Sequence, residues 1–261
     1  KRLISEGLWK HRRKHPKHRL RRPRKEQAGE MMQVDASIHR WLPGDERLYA
    51  LLGGIDDATG WCWALFEEAE TTEGYFRLIR EVAYRRGLPL SLYSDRDSVF
   101  VINREEKRTL ELLRGKRAET QFARAMRELG VKIILALSPQ AKGRIERLWG
   151  TFQDRLFNEL RLEKIKTLPE ANRYLQKVFL PRFNERFTVP AAKPGSLYRK
   201  PPPAARLRQI LCRKETRKLA SDHTFHLDGK VFQVLASSPR IPLRGRQVIV
   251  CERLQGRLEA Y

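Results

Sequence analysis

Between Glu30 and Phe187 the apolar pattern switches from strand-like to helical and back, and that order restricts the fold more than any other feature. EMMQVDASIHRW (30–41) reads as a strand, PGD (43–45) as a turn, and RLYALLGGID from Arg47 as a returning strand. The DDATG turn (56–60) leads into a third strand, WCWALFEEA. Three strands joined by short turns rich in Gly, Asp and Pro form an antiparallel meander. Thr71 or Thr72 then caps a helix in which Tyr75, Phe76, Leu78, Ile79 and Val82 recur at helical spacing, and Gly87-Leu88-Pro89 ends it. LPLSLYSD (88–95) is a short buried strand that finishes on an acid. Residues 118–129 form a helix and VKIILAL (131–137) a fifth strand. SPQAKGRIERLWGTFQDRL (138–156) follows as a long helix with Ile145, Leu148, Phe152 and Leu156 on its buried stripe, and one more helix starts at Pro169. The order βββαβαβα predicts an α/β fold built on a mixed five-stranded sheet flanked by helices.

The charge is distributed unevenly around this core. The chain of 261 residues carries +23; residues 1–30 hold twelve Lys and Arg against three Glu, and residues 191–261 hold fifteen against five acids. The 160 residues between them therefore keep only +4. Basic flanks around a nearly balanced core point to a polyanion held by the flanks, and nucleic acid fits best. KHRRKHPKHRLRRPRK (10–25) has ten cations and two prolines in sixteen positions. It predicts an extended arm ordered on phosphate backbone, with Arg12, Arg13, Lys14, Arg19, Arg21, Arg22 and Arg24 as contacts. Residues 1–9 read as the end of a helical unit, 30–189 as the core, 190–205 as a proline-rich linker and 206–261 as a small basic β-barrel with an Asp-Gly hairpin at 228–229.

Other function classes lose support. No apolar run is long enough for a membrane helix, and no secretory segment opens the chain. Cys62, Cys212 and Cys251 are scattered without zinc spacing, which fits a reducing cytoplasm, and no GxxxxGK[ST] loop suggests a nucleotide-driven step.

Three acids stand out. Asp35 interrupts the apolar first strand, Asp95 ends the fourth at the carboxyl edge of the sheet, and Glu146 sits among Lys142, Arg144 and Arg147 on the helix after the fifth. If strands one and four are neighbours, Asp35 and Asp95 lie side by side and Glu146 closes the cluster. Three packed carboxylates repel one another unless divalent metal neutralises them. Carboxylate oxygens suit Mg²⁺ or Mn²⁺, and two ions ~4 Å apart serve phosphodiester chemistry. Asp56 and Asp57 are rival acids read as turn residues, and Asp97 as an accessory to Asp95. Trp149 reads as a packing residue, and Gly143 as a point of close backbone approach.

QVD, YSDRDSVF and SPQAKGRIERLWGTFQDRL resemble the three acidic blocks of integrase-core (DDE) transposases of bacterial insertion sequences, near the ISNCY group. The resemblance covers roughly residues 30–190. It implies an RNase H-like fold, with Asp35, Asp95 and Glu146 matching the catalytic, metal-binding triad, and Mg²⁺-dependent cleavage and strand transfer at element ends and target DNA. Lys142, Arg144 and Arg147 would grip the phosphates being cut. It also implies a helix-turn-helix unit before the arm, DNA-binding flanks, action as a dimer or higher multimer on duplex DNA, and a bacterial, nucleoid-associated setting. The fifty residues between Asp95 and Glu146 include a charged insertion at 103–119. The rivals weighed are a structure-selective nuclease on the same fold and a non-catalytic DNA-binding protein.

Overall fold

The first three strands, β1 (Met32–His39), β2 (Tyr49–Asp56) and β3 (Cys62–Glu67), form the expected meander, because the turns between them supply the residues a reversal needs. The computed structural model describes residues 23–102, 106, 109, 118–136, 143–234, 244–254 and 256–261. Helix α1 (Thr72–Arg85) is started by the Thr71 hydroxyl, which accepts from Gly74 N, and it buries the predicted stripe from Tyr75 to Val82. Strand β4 (Ser91–Ser94), helix α2 (Gln121–Glu128), strand β5 (Lys132–Leu135) and helix α3 (Gly143–Leu162) complete the alternation.

The sheet order is β3-β2-β1-β4-β5, with β1 and β4 paired in parallel and β4 and β5 likewise. Helices cover both faces. Leu52 on β2 meets the backbone of α1 at Gly74, whereas Gly53, its neighbour on the other face, meets Trp149 of α3. Tyr75 and Phe76 of α1 join Phe100 and Phe122 in an aromatic cluster on the α1 side.

Strand β3 is the sheet's edge, and two asparagines close it. After α3 come α4 (Leu168–Tyr174), a π-helical turn (Leu175–Phe179) and α5 (Leu180–Phe187). Asn172 accepts from Phe66 N at 2.8 Å and donates to Phe66 O at 2.9 Å, and Asn184 does the same to Cys62 at 2.8 Å each way. The side-chain amides thus satisfy backbone groups that an edge strand otherwise leaves open to pairing.

Beyond the core, the stretch expected as a linker lies along it. Leu88 and Arg199 exchange backbone bonds of 2.8 and 2.9 Å, and Leu197 N donates to Ala28 O at 2.8 Å. Helix α6 (Ala204–Ile210) leads into β6 (Arg213–Lys218), the β7–β8 hairpin (Thr224–Leu227, Lys230–Gln233), β9 (Gln247–Glu252) and β10 (Leu258–Ala260). Where a barrel was expected, the described residues form a β10-β9-β6 sheet and the hairpin, around Leu219, Phe225, Leu227, Val248 and Val250. Residues 1–22, and with them most of the basic arm, lie outside the described residues, as does most of the 103–119 insertion.

Candidate active site

The parallel pairing of β1 with β4 decides where two of the three acids go. Met32 faces Leu92 and Gln33 faces Tyr93; β4 ends at Ser94, and the same register continued past that end would bring Asp35 level with Asp95. Both carboxylates are half-buried. Asp95 leaves the strand through a tight turn in which its Oδ1 accepts from Asp97 N at 3.1 Å, while Asp97 Oδ1 accepts from Val99 N at 2.9 Å. The same side chain thus starts the turn and stands at the sheet edge.

A fourth acid joins them that the sequence reading missed. Glu70, just past the end of β3, accepts a 2.7 Å bond from the Tyr75 hydroxyl. Burial raises the Glu70 carboxyl above its ordinary range; the Tyr75 bond opposes this, and the negative charges of Asp97, Asp35 and Asp95 add to the rise. The Tyr75 phenol is pushed well above its usual range by burial first and then by Glu70, with Asp35 and Asp95 contributing. The only hint in the sequence was position: a carboxylate between a strand end and the Thr71 cap reaches the same sheet edge as Asp95.

Glu146 lies in the first turn of α3 and is exposed. One turn on, Trp149 is buried and its indole N–H donates to Asp35 Oδ2 at 3.1 Å. Residues three apart share a helix face at ~5–6 Å between Cβ atoms, so Glu146 stands one turn from the group that holds Asp35. Among the described residues no three His, Cys, Asp or Glu side chains are gathered tightly enough to hold a metal ion. The donors that are brought together, Asp35 and Asp95 with Asp97 and Glu70 around them, are all carboxylates. Such oxygen donors fit a hard divalent cation and its charge would relieve their mutual repulsion.

The basic residues divide into three groups. Arg12, Arg13, Lys14, Arg19, Arg21, Arg22 and Lys142 lie outside the described residues. Arg147 is exposed beside Glu146. Arg24 and Arg144, expected at phosphates, have protein partners: Arg24 donates to Ala58 O at 3.0 Å, and Arg144 pairs with Asp57 Oδ1 at 2.9 Å. Asp56 and Asp57, read as turn residues, are fully buried and organise the end of the sheet. Asp56 accepts from Gly29 N, from Thr59 N and Oγ1, and from the Tyr198 hydroxyl, which burial and that carboxylate hold far above the normal phenol range. Asp57 accepts from Lys25 N at 2.8 Å and from Gln33 Nε2 at 2.7 Å.

The sheet order, with three antiparallel strands followed by two parallel ones, an acid within β1 and another just past the end of β4, matches an RNase H-like α/β fold. In a solved retroviral assembly, the simian T-cell lymphotropic virus intasome bound to PP2A regulatory subunit B56 gamma, one chain matches 94% of this chain with TM-score 0.52 at 14% identity, over 81% of its own length. In sequence, the chain is a relative of the transposases of bacterial insertion sequences. It is 35% identical over 259 residues to the protein named "Putative transposase y4bF" of Sinorhizobium fredii, covering 98% of this chain and 55% of that one. It is also 35% identical over 212 residues to the transposase for insertion sequence IS1202 of Streptococcus pneumoniae, covering 81% of this chain and 44% of that one. The chain thus spans about half the length of the curated relatives it matches. No protein-family model matches it.

Proposed function

We propose that the chain is the catalytic part of a DNA transposase, a polynucleotidyl transferase that cuts a phosphodiester at an element end and joins the freed 3′-OH to target DNA. The observation that supports this reading is the parallel β1–β4 pairing, whose register continued would bring Asp35 level with Asp95, with α3 bonded to Asp35 one turn from Glu146. Asp35, Asp95 and Glu146 would hold Mg²⁺, or Mn²⁺ in its place, as two ions; when bound, the ions activate the attacking oxygen and stabilise the leaving one.

The remaining work belongs to the chain itself. The two strands fix the Asp35 and Asp95 carboxylates relative to each other, which lowers the entropy cost of forming a metal site. Glu146, on the exposed first turn of α3, completes the set by approaching over the same edge. Arg147 and Lys142 flank it and would hold the phosphates on either side of the scissile bond, and the basic arm would track the duplex backbone. Double-stranded DNA, as element end and as target, is the partner, and the protein works as a dimer or higher multimer on it.

Asp35→Asn tests the reading directly. The full-length protein with a labelled element-end duplex should lose Mg²⁺-dependent nicking and joining by at least ~10³-fold while its affinity for the duplex stays within about twofold. Retained cleavage would overturn the assignment. Nicking without joining in the wild-type protein would make it a nuclease instead.

A further inference from the structure

Strand β1 and helix α3 are joined by a row of polar bonds whose spacing matches on both sides. Gln33, Asp35 and Ser37 share one face of β1, and each bonds to a residue four further along α3. Gln33 Oε1 accepts from Ile145 N at 3.3 Å, Asp35 Oδ2 from Trp149 Nε1 at 3.1 Å, and Ser37 Oγ from Gln153 Nε2 at 3.1 Å. Two strand residues advance ~6.6 Å and four helical residues ~6 Å, so strand and helix stay in step over these rungs. The middle rung is held most tightly. The Trp149 ring lies against the backbone of β2 at Gly53, the residue paired with Asp35, so closely that a Cβ there would sit 2.4 Å from Cη2. Phe152 meets it edge-on at 5.9 Å. The indole cannot turn, and its N–H direction is fixed.

We propose that Trp149 is a positioning residue that acts through Asp35: its indole N–H holds the carboxylate in the orientation in which Asp35 meets a divalent cation. This rests on the reading of Asp35 as a metal ligand given above. Ligating carboxylates are themselves hydrogen-bonded, and removing such an outer partner weakens metal binding ~10–100-fold. A donor bonded to Oδ2 selects one face of the carboxylate and restrains its rotation about Cβ–Cγ. A buried indole N–H needs an acceptor in any case. That need alone predicts a loss of stability on removal, with no change in metal affinity.

Trp149→Phe separates the two on folded protein: it removes the donor and keeps an aromatic side chain, at the loss of the outer ring atoms Cη2, Cζ2 and Cζ3 that reach Gly53. Gln153→Met is the comparison, since it cuts a rung of the same seam without touching Asp35. With the full chain and no DNA, titration calorimetry with Mn²⁺ should show the dissociation constant rising about tenfold in Trp149→Phe and staying within twofold of wild type in Gln153→Met. The Mn²⁺ concentration for half-maximal cleavage should shift in parallel. In the wild-type protein, Mg²⁺ should move one of the five indole N–H resonances, and Asp35→Asn should abolish that shift. This measurement stands even if Trp149→Phe does not fold. Unchanged Mn²⁺ affinity in folded Trp149→Phe, an equal loss in Gln153→Met, or a metal-bound wild type with no indole shift would each overturn the proposal while leaving the transposase reading in place. A wild-type chain that binds no divalent ion refutes the metal-site reading itself.

Discussion

Gly53→Ala is the smallest change that should disturb both fold and site. Gly53 faces Asp35 across the β1–β2 pair, and Trp149 occupies the space a side chain would need. A Cβ there would lie 2.4 Å from Cη2 and 3.3 Å from Cζ2 and Cζ3. Ordinary carbon contacts begin at ~3.5 Å, so the ring must retreat by about 1 Å. It has little room, being 6% exposed and bonded to Asp35. Overpacking of this kind costs ~1–3 kcal/mol, of which the stiffer unfolded chain returns ~0.4–1. A net loss of about 1–2 kcal/mol should lower the melting temperature by ~2–8 °C. The ring's retreat carries α3 and Glu146 with it, and a 1 Å misplacement of a reacting group can cost ~100-fold in rate. Thermal denaturation alongside a Mg²⁺-dependent nicking assay reads both quantities. A Gly53→Ala protein as stable and as active as wild type would show that α3 is not held against β2 by this ring.

Three further outcomes follow from the same geometry. Arg144→Met removes the 2.9 Å ion pair to the fully buried Asp57; breaking such a pair costs ~3–5 kcal/mol, and the bonds from Gln33 Nε2 and Lys25 N should keep the loss near the lower bound in urea unfolding. Glu128 anchors the C-terminal strands, accepting from Lys214 Nζ at 2.7 Å and from Arg124. Burial alone would raise its carboxyl, but those bonds outweigh it and hold the group below the ordinary carboxylate range. Its contribution is therefore present above the ordinary range and lost as pH falls through the lowered folded value, so in a pH series of melts Glu128→Gln should flatten the acid limb. Replacing Arg12, Arg13, Arg21 and Arg22 with Ala should flatten the log–log salt dependence of DNA binding by up to ~3.6 units, equally for specific and random duplexes; an unchanged slope would mean the arm does not neutralise phosphates.

Much of the core was legible because it rests on local signals. The PGD and DDATG turns, the Thr71 cap and the 3.6-residue stripe on α3 each act within a few residues, and the structure places β1 to β5, α1 and α3 where they indicated. The expectation that Asp35 and Asp95 lie near each other rested on β1 and β4 being neighbours, and the sheet order shows that adjacency. Gln33 and the Trp149–Asp35 bond were not legible, because they depend on which side chains meet across 100 or so residues of chain, and Glu70 was not, because its role depends on Asp35 and Asp95 being brought near it. Asp57 shows the limit most clearly. A turn aspartate is common for backbone reasons, and only its full burial against Gln33 and Arg144 reveals that it ties the start of α3 to β1. For the 190–205 segment, prolines indicate an extended backbone but say nothing about what it lies against, here Ala28 and Leu88.

The mismatch between strand and helix rise explains how the β1–α3 seam ends. Each rung adds ~6.6 Å on the strand and ~6 Å on the helix, so the two sides drift by ~0.6 Å per rung. From the first rung to the fourth the drift approaches 2 Å, more than a hydrogen bond tolerates. The fourth pair is His39 with Phe157, and there the contact is between rings, edge-on with centroids 6.1 Å apart. Aromatic edges accept a spread of distances that an N–H···O bond does not. Directional bonds therefore occupy the end of the seam near Asp35 and Glu146, where position matters, and tolerant apolar contact occupies the end away from it. A helix packed on β1 by apolar contact alone could slide by a fraction of a turn at little cost. The two polar rungs nearest Glu146, at Gln33 and Asp35, remove that freedom from the start of the helix that carries it.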